Sequence, residues 1–271
     1  MRPNRLNALF RDKQPIINGW LSMASAYSAE IMGHQGFDSV TVDLQHGMIG
    51  FEAAIAMLQA LSSTPAVPLV RVSKNDYHLV MQLLDAGAYG IICPMISSRE
   101  EAERFVSFCR YPPHGQRSFG PARGLLYGGA DYFTHANAEI MSFAMLETRE
   151  AIAAADDILS VEGLTGIYVG PNDLCLSHGL PPKAESDDEP VAGIIRDLAA
   201  RCRAKDRIAG IFCSGGAGAS RRIAEGYTMV TPGSDVALLG GAAKAAIAEA
   251  RQATASSSAT NLGSSPAGSV Y

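Results

Sequence analysis

The sequence predicts an α/β protein whose fold is a (β/α)8 barrel, or TIM barrel, formed by a single domain. Eight short apolar runs alternate with longer segments whose apolar residues recur with the period of a helix. A strand followed by a helix, repeated along the chain, implies parallel strands joined by right-handed crossovers. Eight such units in roughly 250 residues match the usual size of this barrel. The predicted strands are 16–22, 39–43, 68–72, 89–95, 142–147, 166–170, 208–213 and 228–232.

Four of the intervening segments carry a clear helical period and end near glycine, proline or a basic residue, as helices often do. They are 51–61, 77–87, 99–109 and 191–203. An open, doubly wound sheet is the alternative fold, and its first turn should carry the pattern G-x-G-x-x-G. The turn after the first predicted strand reads SMASAYSAE, so the barrel is favoured.

Three segments follow from this assignment. Residues 1–14 form an N-terminal extension, and residues 15–251 form the barrel. Residues 252–271 are rich in serine, alanine and glycine, with too little apolar surface to offset the entropy of ordering, so we predict a disordered tail. Within the barrel, residues 110–130 form a long Gly/Pro/Arg-rich loop before the fifth strand, and we interpret it as a candidate lid.

Composition narrows the class of function. The chain has 271 residues, of which 47% are hydrophobic and 18% charged, so it can bury a large core. A net charge of -5 supplies no basic field for nucleic acid or anionic lipid. There is no apolar signal core and no run long enough to cross a membrane, and the 5 cysteines form no C-x-x-C pair. We expect a cytoplasmic protein that acts on small molecules, with neither nucleic acid nor membrane as a partner.

Polar residues follow several predicted strands at the point where each strand ends. In a barrel of this kind the site is built at the carboxyl ends of the strands, so polar side chains there are the first candidates for function. The candidates, in chain order, are Asp43, Gln45, His46, Arg71, Glu147, Asn172 and Asp173.

Glu147 and Asp173 are candidate metal ligands. Each acid also has a simpler explanation. Asp173 can cap the helix that begins near Pro171, and the positive N-terminal end of the helix after Glu147 can stabilise the charge of that residue. The two acids nevertheless come from equivalent places on adjacent strands. Two carboxylates with no His or Cys beside them suit a hard, oxygen-preferring cation such as Mg²⁺. The sequence therefore favours a divalent-metal site.

The remaining candidates have roles that fit an anionic substrate. The backbone amides of Asn172 and Asp173, at the start of a helix, would bind a substrate carboxylate. Arg71 either pairs with a neighbouring acid such as Asp43 or stabilises a developing oxyanion. His46 is either a loop residue or the side chain that takes and returns a proton near neutral pH.

A metal, a carboxylate site, an arginine and a base together indicate the chemistry of a 2-oxo acid. Such an acid chelates a divalent cation through its carboxylate and keto oxygens, and an enolate forms or collapses at the next carbon. Retro-aldol cleavage, enolisation and decarboxylation all share this chemistry.

Over about residues 15–250 the chain resembles the HpcH/HpaI aldolases, class II pyruvate-type enzymes that cleave 4-hydroxy-2-oxo acids. The segments that carry the resemblance occur in order: FDSVTVDLQHG, PLVRV, QLLDAGAYGIICPM, RYPPHGQRSFGPAR, LETREA and VEGLTGIYVGPNDL. The resemblance implies that Glu147 and Asp173 bind Mg²⁺, Mn²⁺ or Co²⁺, that Arg71 polarises the carbonyl, and that His46 is the base. It also implies that Asp85 is the partner of His46, and that the protein is a hexamer with an exchanged C-terminal helix near 235–251.

The expected function is a metal-dependent aldolase that cleaves or forms 4-hydroxy-2-oxo acids through a metal-stabilised enolate. The products would be pyruvate or hydroxypyruvate and an aldehyde. The alternatives are an oxaloacetate decarboxylase or macrophomate-synthase-like lyase, and a non-catalytic barrel that binds phosphate at CSGGAGAS (213–220) and TPGSD (231–235). Two departures from the family pattern, Gln45 in place of an acid and Met145 in place of a glutamine, bear on the aldehyde partner and the preferred reaction.

Overall fold

The computed structural model describes residues 1–261, with side chains described for residues 1–251. Eight parallel strands follow one another around a closed barrel, and β8 pairs with β1. The predicted fold is therefore confirmed, and each predicted strand is present. The strands are β1 Ile16–Leu21, β2 Ser39–Asp43, β3 Val67–Arg71, β4 Gly90–Cys93, β5 Met141–Leu146, β6 Gly166–Val169, β7 Ile208–Phe212 and β8 Met229–Thr231.

Helices connect the strands, and the four predicted helices correspond to α3, α4, α5 and α11. The helices are α1 Arg5–Arg11, α2 Ala26–Gly33, α3 Phe51–Leu61, α4 Tyr77–Asp85, α5 Arg99–Cys109, α6 Ala122–Gly128, α7 Tyr132–Glu139, α8 Arg149–Ala153, α9 Ala155–Leu159, α10 Pro171–Ser177, α11 Val191–Ala204, α12 Gly215–Ala224 and α13 Asp235–Asn261. The helices that follow β3, β4 and β5 begin at the side-chain caps Asp76, Ser98 and Thr148, which bond amides of the first helical turn. None of the described helices combines the length and apolar character needed to span a bilayer.

The interior of the barrel contains a buried polar network. The Asn18 amide donates to Thr231 Oγ1 at 2.9 Å, and its Oδ1 accepts from Ser39 at 2.7 Å and from Thr41 at 3.1 Å. The Tyr168 hydroxyl lies 2.6 Å from the same Thr231 oxygen. Because these polar groups satisfy one another, burying them costs little, and the network holds β1, β2, β6 and β8 in register.

The N-terminal extension is tied to the barrel by α1. Asn4 is 2% exposed and caps this helix by accepting a hydrogen bond from the Leu6 amide at 3.2 Å. The Asn4 amide also donates to the Glu139 carbonyl at 2.9 Å, and Leu6 is fully buried. Residues 1–14 therefore contribute to the packing at the end of the barrel where the strands begin.

The 110–130 segment lies at that same end. Its Arg117 forms an ion pair at 2.7 Å with Asp85, the last residue of α4, and Arg123 donates to the Ala86 carbonyl at 2.6 Å. Because α4 runs from the carboxyl end of β3 back to the start of β4, Asp85 lies at the end of the barrel opposite the carboxyl ends of the strands. The segment therefore does not cover the carboxyl ends of the strands of its own chain, contrary to its interpretation as a lid.

The chain divides into two compact units, Met1–Asp235 and Val236–Tyr271. The first unit contains all eight strands, and the second contains α13 beyond its first residue. This division falls at 235, before the barrel boundary of 251 predicted from the sequence. The predicted tail at 252–271 overlaps α13 up to Asn261. Its remaining residues lie outside the described part of the chain, so its disorder stays a prediction.

Candidate active site

A cavity of about 220 Å³ lies at the carboxyl ends of the strands. Five of the seven candidate residues line it, namely Asp43, His46, Arg71, Asn172 and Asp173. Trp20, Tyr168 and Phe212 add aromatic surface to its walls. The structure therefore brings together, on one face of the barrel, side chains that are far apart in the sequence.

Arg71 and Asp43 form a buried, bidentate ion pair across β3 and β2. Arg71 Nε donates to Asp43 Oδ1 at 2.8 Å, and Arg71 Nη2 donates to Oδ2 at 2.6 Å. The exposed fractions of the two residues are 8% and 1%. Burial alone would raise the pKa of Asp43, but the hydrogen bonds and charge of Arg71 outweigh it and hold that pKa below its usual range.

Trp20 and Met145 also contact the Asp43–Arg71 pair and orient the Arg71 guanidinium. Trp20 Nε1 donates to Asp43 Oδ2 at 3.2 Å, and the Arg71 guanidinium carbon lies 4.8 Å from the centre of the Trp20 ring. Among the residues with described side chains, the remaining terminal nitrogen, Nη1, contacts just the sulfur of Met145, weakly, at 3.9 Å. The sequence left two roles open for Arg71, and the structure is compatible with both. Arg71 pairs with Asp43, and its Nη1 remains available for an oxyanion in the cavity.

Glu147 follows β5 directly and is 2% exposed. Its Oε1 accepts a hydrogen bond from the Met95 amide at 3.0 Å. Met95 has a positive φ of 57°, a conformation that side chains other than glycine adopt rarely. This strained turn after β4 positions the amide that holds Glu147.

The position of the Glu147 carboxylate also requires that residue 170 has no side chain. A Cβ at that position would collide with Glu147 Oε2 and would lie 2.7 Å from the terminal methyl of Met145. Gly170 immediately precedes α10, which carries Asp173 in its first turn. The glycine therefore lets the start of α10 approach Glu147 closely enough for the two acids to act on one another.

The two acids fit a divalent cation. Burial, together with the negative charge of Asp173, raises the pKa of Glu147 to about 7. Its Oε2 accepts no hydrogen bond from the described residues, so the carboxylate keeps an oxygen for a cation. The part of the chain that the structure describes contains no cluster of three or more His, Cys, Asp or Glu suited to a metal ion. Two carboxylates completed by water and substrate oxygens are an arrangement that Mg²⁺ commonly uses.

His46 is exposed at the entrance of the cavity. Its backbone amide lies 3.3 Å from Asp43 Oδ1, which ties the turn after β2 to the Arg71 pair. The imidazole lines the cavity and forms no hydrogen bond with any residue whose side chain is described.

Gln45 and Asp85 lie away from the cavity. The Gln45 amide donates to Asp43 Oδ1 at 3.0 Å, but its side-chain oxygen is buried and has no hydrogen-bond partner among the described residues. Asp85 is paired with Arg117 at the opposite end of the barrel. Within one chain the structure therefore does not bring Asp85 to His46, and the pairing that the resemblance implies requires a second copy.

The loop after β7 is not open for a phosphate group. The carboxylate of Glu185 accepts from the Ser214 amide at 3.0 Å and forms ion pairs with Arg221 and Arg222. After β8, Asp235 accepts from the Ser22 amide at 2.9 Å. Because Glu185 already occupies the loop after β7 and Asp235 is bonded to Ser22, the phosphate-binding alternative gains no support.

Comparison with known proteins identifies the family. Residues 17–242 match the family model described as HpcH/HpaI aldolase/citrate lyase. The chain belongs to the HpcH/HpaI aldolase/citrate lyase family. It is 40% identical, over 92% of this chain and 99% of the relative, to a hydroxypyruvate/pyruvate aldolase of Rhizorhabdus wittichii. It is 34% identical to a 5-keto-4-deoxy-D-glucarate aldolase of Shigella dysenteriae, over 86% of this chain and 91% of the relative.

A solved structure of the family has the same fold. A HpcH/HpaI aldolase/citrate lyase family protein from Burkholderia cenocepacia superposes with a TM-score of 0.86 at 28% identity, covering 92% of this chain and 99% of that chain. The expected family membership is confirmed. Since its relatives are aldolases, this member of the family is an enzyme, a carbon–carbon lyase.

Three residues around the candidate site were not predicted from the sequence. Trp20 lies within an ordinary apolar strand, Gly170 precedes the predicted helix that begins near Pro171, and Met95 carries no local signal of its positive φ. Gly170 had the clearest signal available, because a glycine between a buried strand and the helix that carries Asp173 marks a close approach of backbone to side chain.

The Asp43–Arg71 pair generates a stability prediction for this aldolase. We expect Asp43→Asn to lower the free energy of unfolding at pH 7 by about 3 to 5 kcal/mol, because it leaves a buried arginine without its counter-ion. Since the pKa of Asp43 lies below its ordinary value of 3.8, the contribution is present above about that pH and is lost as the pH falls through the lower, folded value. Urea unfolding over a pH series measures both effects.

Asp156→Asn is the matched control. Asp156 forms an exposed ion pair with Arg201 at 3.0 Å, and its removal should cost less than about 1 kcal/mol. A cost as small for Asp43→Asn, or a difference from the wild type that grows in acid, would contradict the assignment.

Proposed function

We propose that the protein is a divalent-metal-dependent aldolase that cleaves or forms 4-hydroxy-2-oxo acids, with pyruvate or hydroxypyruvate as the 2-oxo acid product. The observation that supports this most directly is the presence of Arg71 and Asp173 on one cavity, with Glu147 next to them. The substrate class is also suggested by the relatives named hydroxypyruvate/pyruvate aldolase and 5-keto-4-deoxy-D-glucarate aldolase. The expected partners are a small 2-oxo acid and an aldehyde.

Glu147 and Asp173 would hold the cation, which we propose to be Mg²⁺, Mn²⁺ or Co²⁺. When bound, such a cation polarises the carboxylate and keto oxygens of a 2-oxo acid. The free N–H groups of Arg71 Nη1 would donate to the keto oxygen, where negative charge grows as the bond to C4 breaks. The start of α10, at Asn172 and Asp173, faces the same cavity and would orient the substrate carboxylate.

His46 would move the proton. In the cleavage direction its imidazole takes the proton of the C4 hydroxyl while the C3–C4 bond breaks, so that the aldehyde leaves and the electron pair remains on the enolate. The enolate is then protonated at C3 to give the 2-oxo acid. In the reverse direction a proton leaves C3 first, which makes exchange at C3 a test that needs no aldehyde.

We also propose that the protein is a homo-oligomer, and by its resemblance to the family a hexamer. Leu238, Leu239 and Ile247 of α13 are 44%, 62% and 52% exposed, which leaves apolar surface available to another copy. The implied pairing of Asp85 with His46 also requires a neighbouring copy.

Metal dependence is tested by deuterium uptake into the methyl group of pyruvate, followed by NMR. We expect uptake with Mg²⁺ or Mn²⁺. Uptake should be lost with EDTA, because EDTA removes the cation, and in Glu147→Gln, because that variant lacks one of the two carboxylates. Glu150→Gln is the matched control, since Glu150 is exposed in the first turn of α8. Uptake that continues unchanged in EDTA would contradict the metal-dependent mechanism.

The role of His46 is tested separately. His46→Ala should lower the rate of deuterium uptake by roughly 10² to 10⁴, the usual contribution of a general base, without weakening metal binding. His34→Ala, at an exposed histidine that ends α2, should leave the rate unchanged. If oxaloacetate decarboxylation survives in His46→Ala while exchange is lost, the two activities share the metal but not the base. A near-normal exchange rate in His46→Ala would eliminate it as the base.

A further inference from the structure

Arg110 is a buried arginine for which the described part of the chain provides no carboxylate partner. It follows α5 directly and is 6% exposed. Its Nη2 donates to two neutral acceptors, the Gly163 carbonyl at 2.7 Å and the Ser142 hydroxyl at 3.4 Å. Its Nη1 is buried and has no hydrogen-bond partner. Among the described residues, no carboxylate therefore lies within ion-pair distance of this guanidinium.

The other buried arginines differ from Arg110 in this respect. Each of them has at least one carboxylate within 3.1 Å: Arg71 pairs with Asp43, Arg117 with Asp85, and Arg222 with Glu185 and Glu225. A buried cation usually needs such a partner, because removing it from water is costly unless an anion offsets the lost hydration. Burial lowers the pKa of Arg110, and the nearby positive charge of Arg117 acts in the same direction.

A cavity of about 570 Å³ lies against Arg110. Its other polar residues are His114, Asn137 and Glu162. The Asn137 side chain is already used, since it bonds the backbone amide and carbonyl of Tyr111. His114 and Glu162 are both exposed at the edge of the cavity. Arg110 is thus the buried charged group of this cavity.

The cavity is separate from the active site. Ser142 is the second residue of β5, and Gly163 lies before β6, so Arg110 sits where these strands begin. Glu147 and Asp173 follow the opposite ends of the same two strands. Arg110 and the candidate active site are therefore separated by about the length of β5, at a rise of about 3.3 Å per residue.

We propose that this cavity is a second anion-binding site, which takes a small oxyanion with a carboxylate or phosphate group on Arg110. A guanidinium binds such groups through charge-assisted hydrogen bonds, and the anion would supply the missing counter-ion. Glu162 opposes a negative ligand and so limits the charge that the cavity accepts. The site is independent of the aldolase mechanism, and its existence does not depend on the proposed function.

Isothermal titration of the full-length, EDTA-treated protein with inorganic phosphate, and separately with malonate, tests the site. Arg110→Met should weaken binding about ten- to a hundredfold, as expected for loss of hydrogen bonds to a charged group. Two exposed variants test the same site without touching the core. His114→Glu should weaken binding about two- to fivefold, and Glu162→Gln should tighten it by a similar factor.

His34→Glu is the matched control, because it makes the same change of charge on α2, away from the cavity. It should leave the affinity unchanged, and any binding at the active site would be common to all of these variants. Binding of phosphate alone or of malonate alone supports the site and identifies the group that it recognises. No binding of either anion, or equal affinities in the wild type, His114→Glu and Glu162→Gln, would overturn the proposal.

Discussion

The geometry of the candidate active site depends on the buried ion pair between Asp43 and Arg71. A carboxylate and a guanidinium at the ends of neighbouring strands are costly to bury separately, but together they satisfy each other through two hydrogen bonds. Trp20 and the turn after β2 complete the set of donors around Asp43. The pair thus holds the turn that carries His46, and it leaves one terminal nitrogen of Arg71 facing the cavity.

Two acids lie close to each other at the same end of the barrel. Glu147 is buried beside Asp173, and Gly170 allows the approach because it has no side chain. Burial and the charge of Asp173 together raise the pKa of Glu147 to about 7. A divalent cation would offset the repulsion between the two acids, which is the physical reason that we propose them as metal ligands.

The barrel could be predicted from the sequence because segments with the period of a strand alternate regularly with segments with the period of a helix. The location of the candidate site at the carboxyl ends of the strands could be predicted because polar residues follow the apolar strands there. It could not predict that Trp20 stacks on Arg71 or that Met95 adopts a positive φ, since both depend on contacts between distant strands. The lid interpretation of 110–130 was wrong for a single chain: composition marks a functional or mobile loop but not the end of the barrel at which it lies. The role of Asp85 was predicted from the resemblance alone. Its ion pair with Arg117 could not be predicted from the sequence, because the fold brings the two residues together.

The central claim is that Glu147 and Asp173 together bind a divalent cation. The most direct measurement is Mn²⁺ binding, followed by electron paramagnetic resonance or calorimetry, in the wild type, Glu147→Gln, Asp173→Asn and the exposed control Asp156→Asn. We predict one Mn²⁺ per chain in the wild type and the control, and a loss of affinity of at least about tenfold in each of the other two variants, since each removes one of two carboxylate ligands. Equal affinities in all four proteins would contradict the account.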